Sequence, residues 1–447
     1  MDIKIFKEKL FEMAKKEGFS EYELFYSSGK SLKVNIFKGE LEKFNNSKSG
    51  GISFRGVFNG KIGYSFCEKI DENTIPYLIK YAKENSQIIS EDEKEEIYAG
   101  DKEYKEIKTF YEDIENIQVD EMIENCLKME KAVLEYDSRI ISCNHCTMAK
   151  SSGQTYIANS KGLELNKKGN FIFAYTGALA KQNEETKSGM ELFGGFNIKD
   201  FDPKKIGEKA SQKALACLGA KSIPSGKYNI IFENECFTDL FSCFIGSFFA
   251  ETVQKGFSLF KNKLNTKIAS DLITIADEPL MENGYNSTAF DSEGVACYNK
   301  NIVENGILKT YIYNLKSAKK DGVKSTGNGF KGSFKSSIGT NITNFYIKNG
   351  NTNFNDMVQN VSNGLLIKDL SGLHSGVNGI SGDFSLLAEG FLIENGKITT
   401  PVEQITIAGN YFEMMQNIKE LGNDLKFSTS GIGTPSVFVG ELNVAGE

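Results

Sequence analysis

One stretch, residues 364–410, constrains the fold of this chain more than any other. It opens with an apolar run at residues 365–367 and ends in two β-prone runs that meet at Asn395-Gly396. Asn-Gly between such runs is a strong hairpin signal. The loop between the apolar run and these two runs carries four glycines, which permit positive φ and close backbone approach. They are Gly372, Gly376, Gly379 and Gly382. We therefore predict a strand, a shaped loop and a hairpin, with His374 in the loop.

The length of the chain bears on its domain organisation. With 447 residues it exceeds what one hydrophobic core usually organises, so two domains are predicted. Residues 219–227, GAKSIPSGK, combine glycine, proline and serine and form the best boundary. We predict an α+β fold, in which residues 1–222 form an N-terminal helix and β-sheet domain. Residues 223–447 form a C-terminal β-rich domain with mixed and antiparallel strands.

Apolar periodicity predicts the individual elements. One helix is expected to bury Met122, Cys126, Met129, Val133 and Tyr136 on a single face. A phenylalanine-rich buried helix is expected over residues 234–254, and separate strands over 139–148 and 154–159. A second hairpin is expected at Asn59-Gly60. The charge run Glu91–Glu96 predicts a solvated loop.

Composition excludes several classes of function. The net charge is -7 and no basic stripe recurs, which argues against direct nucleic-acid binding. No apolar run reaches the length of a membrane span, and the charged N-terminus does not resemble a signal peptide. Eight cysteines in a long chain without a secretory signal indicate reduced thiols. We therefore expect a cytoplasmic protein without a membrane segment.

Two motifs invite a cofactor interpretation and do not sustain it. Cys143 and Cys146 form a CxxC motif, but it lies in a strand-like run without a second ligand pair, so small buried thiols are predicted. In a regular strand these two cysteines would point to opposite faces. The segment 327–332 matches GxGxxG, but the helix that a dinucleotide site requires does not follow it.

A few polar side chains remain as candidates for a site. Asp291 and Glu293 lie in a turn, where paired carboxylates could do acid-base chemistry or bind metal, although a capped turn is the simpler interpretation. His374 could be a general base or a metal ligand, but a loop histidine hydrogen-bonded to backbone is favoured. Asp383 is placed to cap loop amides. The chain contains no HExxH motif, which argues against a histidine-ligated zinc site.

Several segments resemble the TldD/PmbA family. They span most of the chain: ANSKGLEL at 158–165, LACLGAKSIPSGKYNIIF at 215–232, FDSEGVA at 290–296, STGNG at 325–329, residues 376–410 and LGNDL at 421–425. The TldD branch carries HExxxH on a helix, completed by a cysteine near the C-terminus. In this chain Ser242 and Ser247 fall at the two histidine positions and Cys243 at the glutamate position, and residues 429–442 contain no cysteine. The chain therefore resembles the PmbA branch, also called TldE.

The resemblance implies a subunit of a cytoplasmic metallopeptidase. A TldD-like partner would supply the zinc in a heterodimer, and this chain, without a metal ligand set or catalytic residues of its own, would shape a chamber for small or unfolded peptides. Loops with Asp291, Glu293, His374, Asn378 and Asp383 are the candidates for facing the peptide or the partner.

Two alternatives stay open at this point. One is a stand-alone homodimeric binding or regulatory protein that modulates DNA gyrase or a toxin-antitoxin system. The other is an enzyme that uses Asp291, Glu293, His374 or Asp383 in an unfamiliar way.

Overall fold

The computed structural model describes residues 1–88 and 97–447. The charge run Glu91–Glu96 lies outside the described residues. Helices and many strands, the latter in mixed and antiparallel sheets, confirm the predicted α+β fold. None of the helices in the described part is long and apolar enough to cross a membrane.

The helices fall into short and long classes, and the longest ones cover the first sheet. The α-helices are α1 (Ile3–Lys16), α2 (Ile75–Ile88), α3 (Glu112–Glu115), α4 (Val119–Leu134), α5 (Pro203–Ala216), α6 (Asn234–Ser242), α7 (Ala250–Gln254), α8 (Leu315–Asp321), α9 (Phe354–Val361), α10 (Leu373–Gly376) and α11 (Tyr411–Asn417). Short 3-10 helices lie at Glu72–Thr74, Ile198–Asp200 and Ile245–Phe248.

The strands are long in the first part of the chain and mostly short in the second. They are β1 (Glu21–Phe37), β2 (Glu40–Phe58), β3 (Lys61–Cys67), β4 (Ile140–Asn159), β5 (Glu164–Gln182), β6 (Glu185–Gly195), β7 (Gly226–Phe232), β8 (Ile275–Asp277), β9 (Lys300–Glu304), β10 (Ile307–Leu308), β11 (Gly329–Lys331), β12 (Ile338–Thr340), β13 (Phe345–Ile347), β14 (Gly364–Ser371), β15 (Asp383–Glu394), β16 (Lys397–Asn410), β17 (Glu420–Leu421), β18 (Lys426–Phe427), β19 (Ile432–Thr434) and β20 (Val437–Ala445).

The first sheet is antiparallel and has the strand order β3-β2-β1-β4-β5-β6. The two strands predicted at 139–148 and 154–159 are one strand, β4. Pairing on both sides carries β4 through its polar middle, where Gly153 lies between Gly29 of β1 and Gly169 of β5. Pairing with both neighbours thus continues the strand through residues for which no strand was predicted.

Helices cover one face of the first sheet and bury its apolar side chains. Helices α1 and α2 pack on one part of the sheet, and α4 and α5 pack on another. The predicted inward face of α4 is confirmed for four residues: Met122, Cys126, Met129 and Val133 are fully buried. Tyr136 is exposed instead, because α4 ends at Leu134 and the helical periodicity does not extend to position 136.

The second part of the chain surrounds the largest core with two six-stranded sheets. One sheet has the order β10-β9-β8-β13-β19-β18. The other has the order β16-β15-β14-β7-β20-β17, with an additional pairing of β16 to β20. The predicted hairpin is confirmed in β15 and β16, and both of its turn residues have positive φ, 52° at Asn395 and 71° at Gly396. Positive φ at both positions is the requirement that Asn-Gly meets.

The single helix predicted over residues 234–254 is wrong. The segment divides into α6, the 3-10 helix Ile245–Phe248 and α7. The backbone N–H of Ala250 donates to the carbonyl of Ile312 at 3.0 Å, and the N–H of Ile312 donates to the carbonyl of Phe248 at 2.9 Å. Because these groups pair with a distant segment, they are not available to a continuous helix.

Candidate functional site

The break after α6 is the centre of the first candidate site. The hydroxyl of Ser242 donates to the carbonyl oxygen of Asp239 at 2.7 Å, in the last turn of α6. The hydroxyl of Ser247 is buried and donates to the carbonyl oxygen of Gly379 at 3.4 Å. The two serines are thus turned onto backbone carbonyls on different elements, and a bend of the chain separates them.

An aromatic stack fills the space behind this bend. The ring of Phe244 lies parallel to that of Tyr411, with 4.0 Å between the centroids and 7° between the planes. Phe412 meets Phe244 edge-on at 5.7 Å. Both stacked residues are buried, and the hydroxyl of Tyr411 has no hydrogen-bond partner among the described residues. The interior of the bend is therefore packed with rings rather than with polar donors.

The glycine-rich loop lies directly against the bend. A Cβ at Gly379 would come within 3.5 Å of the carbonyl oxygen of Cys243. At Gly382 a Cβ would come within 2.4 Å of the Phe412 ring, and φ there is 87°. Only glycine satisfies both the conformation and the contact at position 382. The loop is thus the covering wall of the Ser242–Ser247 segment.

Asn378 and Asp383 hold this loop in shape. The side-chain oxygen of Asn378 accepts the N–H groups of Ile380 and Ser381 at 3.0 and 3.1 Å. The carboxylate of Asp383 accepts hydrogen bonds from the Ser381 hydroxyl at 2.8 Å and from the Asn410 side-chain amide at 2.9 Å. Hydrogen bonds from Asn410 and Ser381 lower the pKa of Asp383. The prediction that Asp383 caps loop amides is wrong, because Asn378 occupies the position that reaches them.

His374 lies at the exposed end of the same loop, in the short helix α10. Its side chain has no hydrogen-bond partner among the described residues, so the backbone hydrogen bond predicted for it is not formed. The loop is held by hydrogen bonds of Asn378 and Asp383 instead.

The side chains at the bend do not fit a zinc ion. A structural or catalytic zinc takes imidazole, thiolate or carboxylate ligands, and a neutral hydroxyl is a poor substitute. Burial raises the pKa of the Cys243 thiol, which disfavours the thiolate that a metal needs. Throughout residues 1–88 and 97–447, no three His, Cys, Asp or Glu side chains are grouped to hold a metal ion.

Asp291 and Glu293 form a separate cluster, and both are buried. Asp291 accepts the N–H groups of Glu293, Val295 and Gly329 at 2.9 to 3.0 Å, so the capped turn is confirmed. Glu293 accepts the N–H of Leu315 at 2.8 Å. The contacts of this cluster share no residue with those of the glycine loop. The structure thus brings together Asp291 with Glu293, and His374 with Asn378 and Asp383, but not the two groups.

An ion pair beside this cluster was not predicted from the sequence. Arg55 of β2 lies directly opposite Glu23 of β1, and its guanidinium donates to both carboxylate oxygens at 2.8 and 3.2 Å. Both side chains are buried. Their pairing depends on the register of two long strands, which no local motif encodes.

The CxxC motif differs from its prediction in one respect. Cys143 and Cys146 are buried thiols, as predicted, but they share one face of β4 because a register shift lies between Cys143 and His145. The Cys146 thiol donates to the carbonyl of Cys126 at 2.8 Å, and that of Cys143 lies 3.2 Å from the Thr176 hydroxyl. Hydrogen bonding and burial raise the pKa of both thiols, which fits a structural role.

Glu293→Gln is expected to make the stability of the fold less dependent on pH. Burial raises the pKa of Glu293, and the neighbouring Asp291 raises it further. The folded chain therefore holds this proton more tightly than the unfolded chain. The resulting stabilisation is fully present below the unfolded pKa, about 4.3, and is lost as the pH rises through the folded pKa. Glutamine keeps an acceptor for the Leu315 N–H but has no proton to release.

Urea unfolding from about pH 4.5 upward checks this expectation. The free energy of unfolding of Glu293→Gln, relative to that of the original chain, should increase with pH by at most about 1.4 kcal/mol per pH unit. Glu282→Gln is the matched control, because Glu282 is exposed. Parallel pH profiles for Glu293→Gln and the original chain would contradict the assignment.

A large cavity of about 1220 Å³ separates the first sheet from the second part of the chain. Residues 188–194 of β6 line one side of it, and α5 lines its base. Residues 425–429, together with Tyr285, form the opposite wall. The cavity exceeds the roughly 300–1,000 Å³ that clefts for small ligands usually have.

Comparison with known proteins places these features in a family. Models of the PmbA/TldA metallopeptidases match as domain 1 at residues 22–86, as the central domain at 112–218 and as the C-terminal domain at 225–446. The predicted division between residues 222 and 223 stays a prediction.

Relatives of known sequence match over most of their length. An uncharacterized protein of Methanocaldococcus jannaschii is 30% identical over 97% of this chain and 99% of its own. Metalloprotease PmbA of Escherichia coli O157:H7 is 31% identical over 74% of this chain and 71% of its own.

Solved structures share the fold. A Thermotoga maritima protein, described as a proposed modulator of a DNA gyrase, has a TM-score of 0.91 and 32% identity, and the alignment covers 99% of this chain and 100% of that protein. TldE from Thermococcus kodakarensis has a TM-score of 0.90 over 99% of this chain and 100% of that protein. At 22% identity, the latter match supports the fold alone.

Proposed function

The chain belongs to the PmbA/TldD metallopeptidase family, and from this premise we propose that it is a PmbA/TldE-type subunit of a cytoplasmic peptidase. In this proposal a TldD-like partner supplies the zinc and cuts the peptide. The present chain forms part of the chamber that holds small or unfolded peptides during cleavage.

The observation that carries the proposal is the chemistry of the bend after α6. At the positions that the resemblance assigns to the two TldD histidines, this chain has Ser242 and Ser247, and both hydroxyls donate to backbone carbonyls. The intervening Cys243 carries a thiol whose pKa is raised by burial. A zinc ion would gain no suitable ligand from these groups, and no general base lies in the segment.

The glycine-rich loop supports a role as a chamber wall. It is held rigidly by Asn378 and Asp383, and its outer residues are exposed, including His374. Exposed polar groups on a preorganised loop suit contact with a peptide or with a partner subunit, because little conformational freedom is lost on binding. Asp291 and Glu293, in contrast, are buried and accept hydrogen bonds from backbone N–H groups.

A second candidate function follows from one relative. The Thermotoga maritima protein is 32% identical and is described as a proposed modulator of a DNA gyrase. On this alternative the chain is a self-sufficient homodimeric regulator without peptidase activity. The net charge of -7 favours contact with a protein rather than with DNA in that role.

Purification of the chain alone and together with a TldD-like chain tests the proposal. The chain alone is expected to retain less than stoichiometric zinc and to leave an unstructured peptide intact. The mixture is expected to cleave the peptide in a manner that a chelator abolishes, because the zinc ligands come from the partner. Zinc content and peptide cleavage are the two measurements.

A partner variant without its HExxxH histidines is the matched control and should form an inactive mixture. Stoichiometric zinc and chelator-sensitive cleavage in the chain alone would overturn the proposal. If the TldD-like chain fails to associate and the present chain is a homodimer that alters gyrase supercoiling, the second candidate function replaces the first.

A further inference from the structure

Strand β6 has an open main-chain edge that faces the large cavity. It is the last strand of the first sheet, and among the described residues no strand pairs with its outer side. The register with β5 is continuous from Glu185 to Gly195, without a bulge. An edge strand of this length is a ready template for another extended chain.

One side-chain contact shows which main-chain groups point outward. The hydroxyl of Tyr285 donates to the carbonyl oxygen of Gly194 at 2.8 Å from across the cavity, so that carbonyl points away from β5. Main-chain groups of residues two apart in a strand point to the same side. The N–H and C=O groups of Ser188, Met190 and Leu192 therefore also point outward, and none has a main-chain partner beyond β5 among the described residues.

The outward positions lack the devices by which proteins usually protect a sheet edge. Exposed edges tend to carry lysine, proline or a bulge. Here the three outward residues are Ser188, Met190 and Leu192, and the last two are exposed by 55% and 41%. The cavity of about 1220 Å³ in front of this edge is bounded on its opposite side by Tyr285 and residues 425–429.

We propose that the outer edge of β6 binds an extended peptide as an additional strand, held by main-chain hydrogen bonds to Ser188, Met190 and Leu192. This rests on the proposed function and locates its peptide. Recognition through the main chain depends little on sequence, and the side chains of Met190 and Leu192 favour apolar residues at alternate positions of the peptide. The open edge thus serves capture of unfolded segments rather than of folded proteins.

Two substitutions at one position separate this role from side-chain packing. Met190→Pro removes an outward N–H that does not bond to β5, and proline is tolerated at such edge positions. Met190→Ala removes the same side chain but keeps the N–H. The binding of a fluorescein-labelled Thr-Val repeat peptide, flanked by lysines, is measured by fluorescence anisotropy for the full chain with and without the zinc-bearing partner.

Met190→Ala is expected to bind within about threefold of the original chain, and Met190→Pro at least about tenfold more weakly, because main-chain hydrogen bonds are lost. A peptide with alternate main-chain nitrogens methylated should also bind at least about tenfold more weakly to the original chain, which keeps the test valid if Met190→Pro does not fold. Equal binding by the proline and alanine variants, or equal binding of both peptides, would overturn the inference. If the complex cleaves peptide but binding does not differ between these variants or peptides, the inference fails and the proposed function stands. If the original complex cleaves no peptide, the proposed function itself is refuted.

Discussion

Phe244→Ala is expected to lower the free energy of unfolding by about 3–5 kcal/mol. The Phe244 ring is buried, stacks on Tyr411 at 4.0 Å and meets Phe412 edge-on. Truncation removes buried apolar surface and leaves a cavity between the bend after α6 and the start of α11. Since Phe412 also contacts Gly382, the glycine-rich loop loses part of its support. Urea unfolding followed by circular dichroism measures the change.

Phe257→Ala is the matched control for this substitution. Phe257 is exposed, so its truncation should change the free energy of unfolding by about 0.5 kcal/mol or less. Hydrogen exchange adds a local measurement, in which the amides of residues 376–382 should exchange faster in Phe244→Ala than in Phe257→Ala. A loss of less than about 1 kcal/mol for Phe244→Ala would show that the stack does not hold the bend.

The bend also indicates how much of this fold is encoded locally. The hairpins at Asn59-Gly60 and Asn395-Gly396 are predictable, because the turn conformation is a property of two adjacent residues. The helix expected over residues 234–254 is not formed, because Ile312 pairs with its backbone from a distant part of the chain. Periodicity describes the apolar face of a segment but not the competing partners of its backbone.

In the candidate site, too, some features are visible in the sequence and others depend on the fold. The serines at positions 242 and 247 are visible in the sequence, and the structure adds what they do, which is to donate to carbonyls of Asp239 and Gly379. Asn378 accepts the loop amides that Asp383 was expected to cap, because loop geometry decides which side chain reaches them. The open edge of β6 depends on strand order and was not accessible to local patterns.

The buried ion pair of Arg55 and Glu23 was not predicted from the sequence, and its disruption is expected to have a large effect on stability. Arg55→Met is expected to lower the free energy of unfolding by about 3–5 kcal/mol, because it leaves the buried carboxylate of Glu23 without its partner. Burial opposes the charge of Arg55, yet the charge of Glu23 raises the pKa of Arg55 above its ordinary value. Arg55 is therefore charged in the fold, and the carboxylate of Glu23 accepts both of its hydrogen bonds.

The double variant Glu23→Leu with Arg55→Met distinguishes two effects. One is the cost of leaving Glu23 buried without its partner, and the other is the loss of the Arg55 side chain itself. Apolar replacement of both members of a buried pair is often neutral, so the double variant should be more stable than Arg55→Met alone by about 2 kcal/mol or more. Loss of Arg55 also affects Glu293. Burial and Asp291 raise the pKa of Glu293, and the charge of Arg55 lowers it. In Arg55→Met, Glu293 should therefore hold its proton to higher pH, and the stability of this variant should decline up to a correspondingly higher pH. In the double variant the loss of Glu23, which raises the pKa of Glu293, offsets part of this shift. Equal stability of single and double variants in urea unfolding would contradict the coupling of Arg55 to Glu23.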